Sequence, residues 1–218
     1  MPTRTALDRS LVEVIDDLLR LSSMTEQAID SSMKALAERD ANLATQVSAN
    51  DGMLNEIRYT IEEKCYRMIA TQAPNSTDLR IVVGAVSVAT NLERIGDHAA
   101  GIARLTLRMI DQPLLKPLVD LPQMAEIARG MVRDAVKAFS ERDVALAEAV
   151  VKRDDTIDAL HRQVYNDLLG YMTRDTSTVE RATFLLWVSH NLERIGDRAC
   201  NICERAIYVA TGELKEIS

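Results

Sequence analysis

Aromatic residues are scarce in this chain of 218 residues: two Phe, five Tyr and one Trp make up 4% of it. Sheets rely on aromatic and β-branched residues for cross-strand packing, so this composition gives little support to a β architecture. Eight glycines and five prolines leave long stretches without a helix breaker. Cysteines number three, Cys65, Cys200 and Cys203. An odd count without a spaced framework excludes a disulfide scaffold and suits a reducing cytoplasm. Cys200 and Cys203 do form a CxxC, but it lies inside a helical pattern with no strand before it, so neither a redox nor a zinc role is expected there.

Positive charge is also in short supply, with 26 Lys and Arg against 33 Asp and Glu and a net charge of −7. A general nucleic-acid binder needs a basic face to displace counterions from phosphates, and this balance excludes one. Metal cations or basic partner surfaces suit it better. Long apolar runs are absent: "IVVGAVSVAT" has ten residues, and "MPTRTALDRS" has no apolar centre. Neither a membrane span nor an export signal is expected. What the chain does have is 47% hydrophobic residues, with Ala, Leu and Ile interspersed with Arg, Glu and Asp, enough for a sizeable helical core.

One heptad, "NLERIGD", occupies Asn91–Asp97 and returns letter for letter at Asn191–Asp197. Around it the same order recurs, with "ALAERDANLATQVSANDGMLNEI" before the first copy and "AFSERDVALAEAVVKRDDTIDAL" before the second. The chain is an internal duplication. Pro113, Pro117 and Pro122 form its only proline cluster, which marks a linker. The expected organisation is a first repeat over 1–112, a proline-rich linker over 113–121 and a second repeat over 122–218, with the linker sensitive to proteases. Apolar residues at Leu92, Ile95, Ala99 and Ile102 keep the three-and-four spacing of a core-facing helix. Each copy reads as three helices, roughly 6–38, 42–71 and 77–110, then 122–142, 144–172 and 177–211. The expected fold is all-α, six helices forming two tandem antiparallel three-helix bundles, packed end to end or side by side. Trp187, beside Phe184 and Leu185, is expected in the core.

Residues four apart share a helix face, so Glu93 and Asp97 are neighbours about 6 Å apart, as are Glu193 and Asp197. Both carboxylates lie about 130° around the helix from the apolar seam and are not expected in the core. The middle helices carry pairs at the same spacing, Asp154 and Asp158 in the second repeat and Asp51 and Asn55 in the first. Antiparallel packing of the second and third helices would bring these acidic edges together. Arg39, Arg94 and Arg194 could neutralise them on a solvated face; otherwise a hard or borderline metal ion such as Mg, Mn, Fe or Zn could. Four carboxylates in the second repeat, against three and Asn55 in the first, predict a tighter second site. Arg104 stands where the second repeat has Glu204, roughly 10 Å from Asp97 along the axis.

The duplicated heptad after "DLR" (Asp78, Leu79, Arg80), with "DRACNICE" after the second copy, closely resembles the PhoU family of phosphate-transport accessory and regulatory proteins. That resemblance covers nearly the whole chain. It implies two three-helix bundles with paired E/DxxxD motifs that hold iron or zinc in some members. By position the motifs fall on Asp51, Glu93 and Asp97, and on Asp154, Asp158, Glu193 and Asp197. Asn55 stands where an acid is expected, and Arg198 where a histidine is common. The implied role is a cytoplasmic, non-enzymatic negative regulator of phosphate uptake. It would act through the ATPase of the phosphate transporter and the phosphate-sensing histidine kinase, and a homodimer is compatible with it.

Two other readings stay open. A metal-free adaptor would use the acidic faces to bind basic partner surfaces. A di-iron carboxylate oxidase would need Glu-x-x-His on two helices. The nearest approach is Asp158 with His161, which turns toward the apolar seam. His190 precedes Glu193 in the reverse order and is at most an extra ligand, and His98 lies off the acidic face. A Gly-rich phosphate loop, a Ser/His/Asp set and an activated cysteine are all missing, so phosphoryl or acyl transfer has no residues to carry it.

Overall fold

The computed structural model describes residues 2–213, with side chains from residue 6 onward. It contains six long helices: α1 (Pro2–Glu38), α2 (Ala41–Gln72), α3 (Ser76–Met109), α4 (Asp120–Glu141), α5 (Val144–Arg174) and α6 (Val179–Thr211). A single 3₁₀ turn, Thr176–Thr178, leads into α6, and no strand occurs among the described residues. The expected all-α class and six-helix order hold, and the ends agree to within about two residues except at the start of α1 and at residue 177, which falls in the 3₁₀ turn.

The breaks are local chemistry. In both "ERD" pieces the arginine, Arg39 or Arg142, takes the left-handed conformation that ends a helix, with φ near 55° and 57°. The following aspartate then caps the next helix. Asp40 accepts from the amides of Asn42 and Leu43, and Asp143 from that of Leu146. Asn75 does the same for α3, accepting from Thr77 and Asp78. Arg39 is no partner of the acidic pairs: its guanidinium donates to the Ile110 carbonyl. Helix α4 begins at Asp120, inside the expected 113–121 linker, because Asp120 and Leu121 are buried against the bundle. Pro122 sits in the first turn, where its missing amide proton costs nothing.

Helices α1–α3 form one bundle and α4–α6 the other, side by side. Helix α3 packs on α6 as extensively as α4 does, and α1 packs on α4. The four make a central square that α2 and α5 flank. Helices α3 and α6 run antiparallel: Gly84 lies beside Val209 and Gly101 beside Asn191. At Gly84 a Cβ would stand 2.9 Å from the Phe139 ring and 3.0 Å from Val209, so only glycine lets the halves approach this closely. One apolar core runs through all six helices, including Leu18, Ile61, Leu92, Met124, Ile157 and Ile195. His98 adds a polar tie between the halves, its Nδ1 3.0 Å from Asn191 Oδ1. Leu185 is buried as expected, but Trp187 is 51% exposed. It lies two turns from half-buried Arg194 on the outer face of α6.

Residues 110–119 are the longest non-helical stretch among the described residues, and Lys116 moors them to α5 with Nζ 2.8 Å from Asp167. Limited proteolysis should cut there first. Because the core is shared, the two fragments should stay associated on native gel filtration and melt together; separation of the halves would contradict a common core.

Candidate metal centres on the paired helices

The glycine inside each heptad sets the geometry of the acidic edges. A Cβ on Gly196 would stand 2.7 Å from Asp154 Oδ1 and 3.0 Å from Ile157 Cδ1. One on Gly96 would overlap Leu54. Glycine at these positions lets Leu54 of α2 and Asp154 of α5 seat directly against α3 and α6, where a Cβ would force them to shift. Leu92 and Ile95, with their counterparts Leu192 and Ile195, face the core of the same helices. One heptad thus supplies core, close approach and charge together.

In the first repeat Asp51 of α2 faces Asp97 and Glu93 of α3. Burial is the main reason that Asp51 is pushed above the usual carboxylate range; the Asp97 charge adds to it and Arg104 opposes it. Glu93 is raised by burial and then by Asp97, against Arg94 and Arg58. Contrary to its expected place outside the core, Glu93 is only 8% exposed, because α2 covers it with Arg58 close by. Arg94 bridges this pair, with Nη1 2.9 Å from Asp97 and Nε 3.5 Å from Glu93. Asn55 is half-buried on α2. Arg104 does not stay a turn or two away: it folds back so that Nη2 is 3.4 Å from the Asp97 carbonyl.

The second repeat repeats the frame with different charges. Asp154 is pushed up to about 6, by burial first and then by Asp197, Asp158 and Glu193, while a hydrogen bond from the Cys200 thiol opposes the rise. Arg194 pairs with Asp197 at 2.6 Å. Two carboxylate oxygens, Asp154 Oδ1 and Glu193 Oε2, are buried without a hydrogen-bond partner. No candidate carboxylate of the first repeat is in that state among the described residues. Buried carboxylate oxygens that accept no hydrogen bond are costly unless a cation meets them, and here they fit one. An open hollow of about 630 Å³ lies over Asp154, Asp158 and Asp197.

The grouping is looser than the sequence suggests. Asp158 is exposed, and no three His, Cys, Asp or Glu side chains among the described residues converge closely enough to hold one ion as they stand. The Cys200 thiol beside Asp154 was not anticipated, although its position three residues after Asp197 places it on the same side of α6. Burial keeps Cys200 and Cys203 protonated, raising Cys203 to about 12 and Cys200 well above the usual thiol value.

Comparison with known proteins places this geometry. The PhoU domain family model matches residues 18–106 and again 121–206. The chain is 36% identical over 217 residues to a phosphate-specific transport system accessory protein PhoU homolog of Clostridium acetobutylicum, covering 99% of each. It is also 36% identical over 208 residues to the homolog of Aquifex aeolicus, covering 95% of this chain and 94% of that one. Among solved structures, PhoU from Pseudomonas aeruginosa superposes with a TM-score of 0.90 at 31% identity, covering 94% of this chain and 99% of that one. The phosphate transport system regulatory protein PhoU from Streptococcus pneumoniae gives 0.90 at 30% identity, covering 97% and 100%.

Asp154 makes the metal-free protein pH-dependent. Its folded pKa of about 6 lies above its ordinary value of 3.8, so between those values the native state binds more protons than the unfolded chain. Stability then falls as pH rises through that window. In chelator, the melting temperature should drop from pH 4.5 to pH 6.5, and Asp154→Asn should flatten that slope. An unchanged slope in the variant would show that Asp154 is not the group responsible.

Proposed function

The chain belongs to the PhoU family, and on that premise we propose that it is a cytoplasmic negative regulator of phosphate uptake and phosphate-starvation signalling. It couples the ATPase of the phosphate transporter to the phosphate-sensing histidine kinase. Its relatives are named accessory proteins of a phosphate-specific transport system, and no helix of the described residues is long and apolar enough to cross a membrane. Such a protein works by contact, and the duplicated acidic edges are its means.

The observation that carries the metal part of this reading is the pair of buried, unpartnered oxygens on Asp154 and Glu193. Asp154, Asp158, Glu193 and Asp197 would hold an ion between α5 and α6, and Asp51, Glu93 and Asp97, with Asn55 as a neutral donor, would hold one between α2 and α3. Iron or zinc suits these sites, and Mg or Mn suits all-oxygen ligation. A bound cation supplies positive charge to edges that otherwise repel, and ties the middle helix of each bundle to the last. The chain's own residues set the docking surface: α2, α3, α5 and α6 present both edges, and the shared core keeps them in fixed relation.

A metal-free adaptor is the second reading, favoured by the ion pairs of Arg94 and Arg194 that already half-neutralise Asp97 and Asp197. Partner capture before and after exhaustive chelation separates the two, since an adaptor keeps its affinity. A clean deletion should derepress phosphate scavenging in phosphate-rich medium; normal repression in the deletion strain would defeat the regulatory reading.

The two centres should be unequal. The first has one carboxylate fewer and a folded-back Arg104, and a missing ligand charge near 4 Å is worth roughly several kcal/mol before desolvation is subtracted. Titration calorimetry on the apo protein should resolve two affinity classes. Glu193→Ala should abolish the tighter class, and Asn55→Asp should tighten the weaker one about tenfold or more. A single class would mean that carboxylate count does not rank the sites.

A further inference from the structure

The two repeats share a heptad but differ beside it in three matched positions. Where the first repeat has Arg58, Ala89 and Thr90, the second has His161, Ser189 and His190. In the first repeat the Arg58 guanidinium lies against Glu93 and pairs with Glu62 at 2.5 Å. That end of the first centre already holds a cation. In the second repeat the same end is lined by two imidazoles, those of His161 and His190. His190 Nδ1 stands 3.2 Å from Glu193 Oε2, the oxygen that is buried without a hydrogen bond. The His161 ring lies with its centroid 6.3 Å from that of His190.

A hydrogen bond holds the His161 ring. Its Nδ1 is 2.7 Å from the buried Ser189 Oγ, which lies 3.5 Å from Met124 Sδ. With Nδ1 engaged by the hydroxyl, Nε2 is the ring nitrogen left for an ion. In the first repeat Ala89 has no hydroxyl for that task. The side chain of His190 is 59% exposed and free to rotate.

We propose that His161, His190 and Glu193 form a nitrogen-donor end of the second centre, which takes a borderline divalent transition ion such as Zn²⁺ in preference to Mg²⁺ or Mn²⁺, and that the first repeat has no equivalent. Imidazole donors favour zinc, cobalt, nickel and copper over hard ions, whereas carboxylates alone do not. Zinc–nitrogen bonds of about 2.0–2.1 Å would draw the two rings inward by rotation of the exposed His190. Ser189 is the positioning residue, holding the ring that does the binding. This inference rests on the metal reading above but concerns which atoms hold the ion and which ion they select.

Trp187, the single tryptophan, reports on the site directly, since it lies one helical turn before His190, about 5–6 Å away between Cβ atoms. Co²⁺ added to the chelator-stripped full chain should quench its fluorescence and develop visible d–d bands. Zn²⁺ should restore the fluorescence, and a large excess of Mg²⁺ should not. His190→Gln and His161→Gln should each weaken Co²⁺ binding about tenfold or more, and Ser189→Ala should weaken it about tenfold by releasing the His161 ring. Quenching that survives both histidine variants but disappears in Asp154→Asn would place the ion on carboxylates alone, overturning this proposal and leaving the metal reading standing. No Co²⁺ or Zn²⁺ binding by calorimetry would overturn both.

Discussion

Close approach of two antiparallel helices at a glycine is the contact on which the acidic edges depend. At Gly196 the Asp154 carboxylate occupies the space a side chain would fill, and at Gly96 Leu54 does. Nothing larger than hydrogen is accommodated there without displacement. The approach has an electrostatic cost, because it carries carboxylates of α2 and α5 out of water and toward those of α3 and α6. The raised Asp51, Glu93 and Asp154 all record that cost, with burial the leading cause in each. A fold that retains this arrangement in two copies holds like charges together, and the charge that relieves them can come from arginine or from an ion.

The copies resolve that strain differently. In the first, Arg94 pairs with Asp97, Arg104 bonds the Asp97 carbonyl, and the charge of Arg58 acts on Glu93. In the second, Arg194 pairs with Asp197, His190 Nδ1 stands 3.2 Å from Glu193 Oε2, and neither that oxygen nor Asp154 Oδ1 accepts a hydrogen bond. Duplication preserved the backbone device and let the surrounding charge diverge. One half thus has more arginine around its acids than the other, while a continuous core holds them as one body.

That continuity also sets how far apart the two edges lie. Helices α3 and α6 carry the heptads and pack on each other across the middle of the molecule, so the two acidic edges are separated by only two helices. His98 of one repeat bonds Asn191 of the other, linking a residue beside Asp97 to one beside Glu193. The 110–119 connection joins the same body, with Leu114, Leu115 and Leu118 packed against the shared core.

Local order was legible in the amino-acid sequence because it depends on neighbours along the chain. The six helices, the "ERD" breaks, the duplication and the i, i+4 acidic pairs all follow from spacing, capping and breaker residues. Helical period also placed Leu92 and Ile95 in the core. What it could not decide is which remaining faces a second helix covers. Glu93 is buried because α2 lies over it, and Trp187 is exposed because the square of α1, α3, α6 and α4 leaves that side of α6 open. Arg104 reaches Asp97, and His161 reaches Ser189, through folding of side chains across turns and between helices. A single-helix projection fixes angles around one axis; burial, charge neutralisation and hydrogen bonding between helices are properties of the space between axes, and only the tertiary packing sets those.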